Sequence, residues 1–309
     1  MTLINPPLLT HGGTHEARAF RMMIRDLARG SQGVTEADDL KVRQLATPGA
    51  AVRVLDGSGI IRGATWGQGS YTQYNVGDST VPIAPTGATP RSDLVCLRVE
   101  DPEYEGTRDP ETDQIGFFHV VSNVASNLTV PPNGMTAIPL ARIDMPANTA
   151  VVTDAMIKDV RRIANPRRDR KLYTAFPGSL SQITYSDNKW HNWPTIARWS
   201  IPVPAWAATV RIVTTIAGLR LARADVYAAM QQVFGTVLGQ DTVIDDDQGA
   251  NTRRNTVVLA DSLAIPAAMR GTNQTFYLQT YMTKAETGDL GVDGGTNIIT
   301  DVEFTEGVI

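Results

Sequence analysis

Turn-forming residues interrupt the chain at short, regular intervals from Leu40 to Asp144. The interruptions are Pro48-Gly49, Asp56-Gly57, Val76-Gly77-Asp78, Pro85-Thr86-Gly87 and Pro132-Asn133-Gly134. The apolar and β-branched runs they leave are of strand length: 40–46, 51–55, 59–63, 71–76, 79–84, 93–100, 115–122 and 138–144. Many short strands with regular punctuation predict a sandwich or a partly closed barrel.

The second half follows the same pattern. Strands are expected at 180–185, 195–202, 207–217, 221–230, 233–238, 253–260, 274–283 and 297–305. Segment 221–234 is ambiguous. Met230, Val233 and Phe234 suit a helix, whereas Ala222, Ala224, Val226, Ala228 and Met230 alternate. Strand is preferred, because Gly218 and Gly235 bracket a run of roughly strand length among other strands.

Two helices are expected in the first half. Phe20, Met23, Ile24, Leu27 and Ala28 make an apolar stripe over 15–29, with Thr14 as cap and Gly30 as stop. Met156, Ile157, Val160 and Ile163 make a second stripe over 154–163, with Asp154 as cap and Pro166 beyond it. The basic run 161–171 then reads as a solvated linker, its arginines favouring the preceding helix end or pairing with nearby acids. A domain boundary inside it gives domains 1–165 and 166–309. The fold class expected is mainly β, with two sandwich or barrel-like domains, the second jelly-roll-like.

At 309 residues, 42% of them hydrophobic and 19% charged, the chain can bury cores of this size. A net charge of −4 gives no general reason to bind nucleic acid or an anionic membrane. No apolar run is long enough to span a bilayer, and Met1 to Thr10 does not read as a secretory signal. The one cysteine, Cys96, lies in Leu94-Val95-Cys96-Leu97 and reads as a small core residue.

The first half resembles the N-terminal region of minor tail proteins from long-tailed phages of actinobacteria. The features that carry this are Thr14-His15-Glu16-Ala17-Arg18, Asp39-Leu40-Lys41-Val42, Ala46-Thr47-Pro48-Gly49, and a Gly/Tyr-rich pair around Tyr71 and Tyr74. Ser92-Asp93-Leu94-Val95 follows, with Arg98-Val99-Glu100-Asp101-Pro102-Glu103-Tyr104 and then Ile138-Pro139-Leu140-Ala141-Arg142-Ile143-Asp144-Met145-Pro146. Their order across about 165 residues makes the resemblance. It implies a virion component of the distal tail, at the tip or baseplate, present in several copies and in contact with other tail proteins and the host surface. A homo-oligomer, a trimer first, is expected on this basis.

No catalytic or cofactor signature stands out, so neither an enzyme nor a cofactor is expected. His11-Gly12-Gly13 has no Gly-x-Ser-x-Gly partner. The four histidines are not spaced as a zinc site. Asp245, Asp246 and Asp247 form a weak calcium candidate without the acid spacing of an EF-hand. The best lead is aromatic: four of five tryptophans fall between Trp190 and Trp206. Tyr185, Trp190, His191 and Trp193 are the candidate glycan-binding residues, because sugar rings stack on flat apolar faces. The competing reading is core or subunit packing, which uses tryptophan equally well. A glycan depolymerase is a rival from another class, but no motif selects a pair of carboxylates.

Overall fold

The computed structural model describes residues 4, 6–183, 187–283 and 288–308. The chain divides into two compact units, Met1–Pro166 with Val308–Ile309, and Arg167–Gly307. Both are built almost wholly from antiparallel strands.

The first unit opens with helix α1, Ala17–Leu27, followed by ten strands. These are β1 (Gly33–Val34), β2 (Val42–Gly49), β3 (Ala51–Val54), β4 (Gly57–Arg62), β5 (Ser70–Asn75), β6 (Ser79–Pro82), β7 (Arg91–Val99), β8 (Gly116–Val124), β9 (Ala137–Met145) and β10 (Ile157–Asp159). They form sheets in the orders β1-β4-β5, β2-β3-β6 and β10-β9-β7-β8. Leu40, Val52, Val54, Ile61, Leu97, Ile138 and Leu140 share the core among them. Strand β7 is buried on both faces. Val95, Leu97 and Val99 join that core, while Leu94 and Cys96 face a smaller cluster beneath Val121 and Leu128. Cys96 is therefore the core residue expected, and burial pushes its thiol up to about 12.

Helix α1 is shorter than the stripe predicted, and Glu16, not Thr14, stands at its cap without a side-chain hydrogen bond. Gly30 ends it as expected, at φ +70 with its N–H on the Arg25 carbonyl. The stripe buries only in part: Ala28 is buried and Met23 and Ile24 are half-buried, but Phe20 is 41% and Leu27 72% exposed. Arginines also hold the helix. Arg18 Nε donates to the Gly67 carbonyl at 2.9 Å and Arg21 Nε to the Gln68 carbonyl at 3.0 Å. Arg21 also meets Asp101 at 3.3 Å and Glu103 at 2.6 Å, with the rings of Tyr71 and Tyr104 each 5.5 Å away. Gly69, at φ +78, lets the backbones meet, since a Cβ there would stand 2.6 Å from the Arg21 carbonyl carbon.

The expected helix at 154–163 does not form. One 3-10 turn, Asp154–Met156, leads straight into β10. The edge of β9 offers backbone partners, and the β-branched Ile157 takes them opposite Ile143. Asp154 does not cap a helix. Its carboxylate accepts from the Gln44 N–H at 2.8 Å, and its own N–H donates back to Gln44 Oε1 at 2.9 Å. The helical spacing was coincidental: Met156, Ile157 and Ile163 pack on the main core, Val160 on the smaller cluster.

The second unit is a sandwich of two sheets. Its strands are β11 (Arg168–Ala175), β12 (Ser181–Ile183), β13 (Trp190–Asn192), β14 (Arg198–Pro202), β15 (Ala207–Ala222), β16 (Val226–Phe234), β17 (Val237–Leu238), β18 (Thr242–Asp246), β19 (Arg253–Ala264), β20 (Asn273–Met282), β21 (Asp289–Val292) and β22 (Asn297–Glu306). One sheet runs β11-β22-β15-β21-β12, with β19 on the other side of β15. The other sets β13 and β14 end to end along one side of β20, β16 along its other side, and β17 and β18 beyond β16. Ile212, Ile216, Leu259 and Val302 of the first sheet meet Met230, Phe234, Phe276 and Leu278 of the second.

Two expectations change here. The basic run is not a linker beyond Arg167. It enters β11, which pairs along β22 from Arg168↔Thr305 to Ala175↔Ile298. Acids on β22 explain this: Arg170 bonds Asp301 and Arg168 approaches Glu303 at 3.6 Å. Segment 221–234 is strand, but two strands, broken where Arg223 takes φ +77.

Candidate functional site

Side chains alternate across a strand, so Trp190 and Trp193 cannot share a face. Trp193 points inward, 5% exposed, with its indole N–H on Ser181 Oγ at 3.1 Å. Trp199 stacks on Phe276 at 5.5 Å and Trp206 also packs on the core, beneath the Arg167 guanidinium. Trp190 alone of these four leaves the core. It is 37% exposed and tilts against Tyr281 with ring centroids 5.7 Å apart.

The four residues read from sequence are thus not brought together. Tyr185 lies outside the described residues. Trp193 is a core residue, because the inward positions of β20 leave a large apolar gap there that an indole fills. His191 shares the parity of Trp193 and is partly exposed. Its Nε2 lies 2.9 Å from Asp187 Oδ1, and that hydrogen bond holds the Asp187 carboxyl below its usual range.

What Trp190 joins instead is the outer face of the β20 sheet. Paired residues point the same way, so the register defines three rows across the strands: Trp190–Tyr281–Ala229, Asn192–Gln279–Gln231 and Arg198–Tyr277–Val233. Of these nine, Ala229, Gln231 and Val233 on β16 are buried, whereas Trp190, Asn192 and Arg198 are exposed; the alternate positions Phe276, Leu278 and Met282 face the sandwich core. Successive rows stand about 7 Å apart. The middle row is a chain of amides. Gln231 Nε2 donates to Gln279 Oε1 at 2.8 Å, and Gln279 Nε2 donates to Asn192 Oδ1 at 3.1 Å. In the third row the Arg198 guanidinium lies 5.1 Å from the Tyr277 ring centre. Val243 and Leu238, both exposed, extend the outer rows beyond Ala229 and Val233.

Aromatic rings flanking amides give stacking surfaces beside groups that both donate and accept. Each amide has two N–H and two lone pairs, and the row uses only part of them. Sequence reasoning missed Tyr277, Gln279, Tyr281 and Gln231. The alternation of Phe276, Leu278, Thr280 and Met282 against Tyr277, Gln279 and Tyr281 was legible, but not that Trp190 pairs with Tyr281.

The calcium candidate does not assemble. Asp245 and Asp246 sit on opposite faces of β18, and Asp246 is already bound by a guanidinium. Arg253 bonds its buried carboxylate, Gln248 N–H adds a bond at 3.2 Å, and these hold the Asp246 carboxyl below its usual range. Among the described residues no group of three or more His, Cys, Asp or Glu could hold a metal ion, and no helix is long and apolar enough to cross a membrane.

No protein-family model matches this chain, and no curated protein matches it. Among solved structures it is similar to infectious bursal disease virus, Gx strain, at 10% identity and a TM-score of 0.28, over 91% of this chain and 72% of that one. A subviral particle of the VP2 protein of the same virus gives 11% identity and 0.27, over 90% and 79%. The Cry1Da tryptic core of Bacillus thuringiensis gives 9% and 0.22, over 98% and 57%. At scores this low the likenesses carry no argument.

Proposed function

We propose that this chain is a structural protein of a tailed-phage virion, located at the distal tail. We further propose that its second unit contacts carbohydrate of the host cell envelope without catalysis. The first part rests on the ordered sequence motifs of residues 14–163. The second rests on one observation: Trp190 stands exposed against Tyr281, beside the amides of Asn192 and Gln279, on the exposed β13 side of the sheet. Those three rows contain no carboxylate, whereas glycoside hydrolysis uses two, which favours binding over cleavage. Each copy need bind only weakly, because several copies on one particle raise the avidity.

The test uses the full chain, displayed in multiple copies, on host cells and on envelope polysaccharide. Trp190→Ala is expected to keep its melting curve and to bind several-fold less. Unchanged binding by the folded variant removes Trp190 from the site. Absence of binding by the wild type leaves a purely architectural role as the better account. A cryo-EM map of the particle fixes the position along the tail.

A further inference from the structure

Most arginines of the second unit are neutralised by an acid. Arg167 meets Glu306, Arg170 meets Asp301, Arg223 meets Asp289, Arg253 meets Asp246 and Arg254 meets Asp293. Arg198, like Arg220 and Arg270, forms no such pair among the described residues, but of these three only Arg198 lies over an aromatic ring. It is exposed, it lies over Tyr277, and it has no carboxylate partner among the described residues. It stands at one end of the platform, about 14 Å along β20 from the Trp190–Tyr281 pair, with the amide row between.

A guanidinium that rests against a tyrosine ring without an acid partner keeps N–H groups for a ligand, and its fork matches a carboxylate. The opposite end is aromatic, with the exposed Asp245 one row beyond it on the same face, and the middle holds neutral amides. The arrangement is polar along its length. One end suits an uncharged sugar face, the middle suits hydroxyls, and the Arg198 end suits an anion.

We infer that the face takes an acidic glycan, a chain of sugar rings stacked at Trp190–Tyr281 with a carboxylate-bearing ring bonded by Arg198. This rests on the reading of the face as a carbohydrate platform. It adds the charge of the ligand and the residue that selects it. The attraction is between opposite charges, so the selection is weakened by salt.

The experiment measures binding of the displayed full chain to hyaluronan, polygalacturonate and alginate, each intact and after reduction of its carboxylates to alcohols. At least one intact polymer is expected to bind about five-fold more tightly than its reduced form, with the gap closing in high salt. Arg198→Gln is expected to lose that preference, binding the intact and the reduced polymer about equally. Arg198→Lys keeps the charge but not the fork and falls between. Melting curves check that each variant is folded. Equal binding of intact and reduced polymers, or an Arg198→Gln variant that keeps the preference, overturns the acidic ligand and leaves the platform standing. Binding of none of the six probes overturns both.

Discussion

Trp190 and Trp193 show how two identical side chains three positions apart acquire opposite roles. Trp193 fills the sandwich interior, and its truncation leaves a cavity and strands Ser181 Oγ. Trp193→Ala is expected to cost about 3–5 kcal/mol, read from denaturant unfolding. Trp190→Ala should change stability by no more than about 0.5 kcal/mol. Similar losses at both positions would mean that Trp190 also carries the core. Asp246 gives a second residue-level expectation. Its folded-state pKa is depressed, first by the Arg253 hydrogen bond, so its contribution is complete above the unfolded value of about 4 and disappears as pH falls through the folded one. Asp246→Asn should lower stability at neutral pH by roughly 3 kcal/mol and remove part of the acid-side slope. An unaltered slope would show that Asp246 does not titrate on unfolding.

At the level of elements, α1 is the test of how an amphipathic helix can dock through its charged side. Its exposed Phe20 and Leu27 contribute little to the fold of the isolated chain, whereas Arg21 is mostly buried among Asp101, Glu103 and two tyrosine rings. Arg21→Ala leaves Asp101 buried without its cation and should cost about 3 kcal/mol. Amide exchange across Ala17–Leu27 should accelerate with it. Phe20→Ser should leave both unchanged. Gly69→Ala should act like Arg21→Ala, because it demands φ +78 of an alanine and drives a methyl into the Arg21 backbone. Hydropathy spacing found the buried Ala28 but not the exposure of Phe20 and Leu27, since spacing records which residues are apolar and not which face a neighbouring loop can satisfy.

At the level of the whole molecule, the proposal of a multi-copy tail component predicts self-association. The expected assembly is a trimer, measured as mass in solution at micromolar concentration and as copy number in the particle. Phe20 and Leu27 are among the apolar groups the first unit leaves exposed. Phe20→Ser with Leu27→Ser should then shift the mass toward monomer without lowering the melting temperature. A wild-type monomer in solution together with no clustering on virions counts against the assembly.

The alternation of apolar and polar residues and the turn signals determined by themselves that the chain is mainly β, where most strands run and that Cys96 is buried. These are local properties, written in period-two patterns and in residues that only turns tolerate. Only the tertiary structure decided the rest. Segment 157–159 became a strand because β9 had an open edge beside it, and the basic run became β11 because β22 presents acids in register. The candidate site was partly legible: Trp190 was found, but its companions Tyr281, Gln279, Gln231 and Arg198 come from other strands. Strand pairing places residues far apart in the chain side by side, as at Trp190↔Tyr281 and Arg168↔Thr305, and nothing local in either strand encodes which partner it meets.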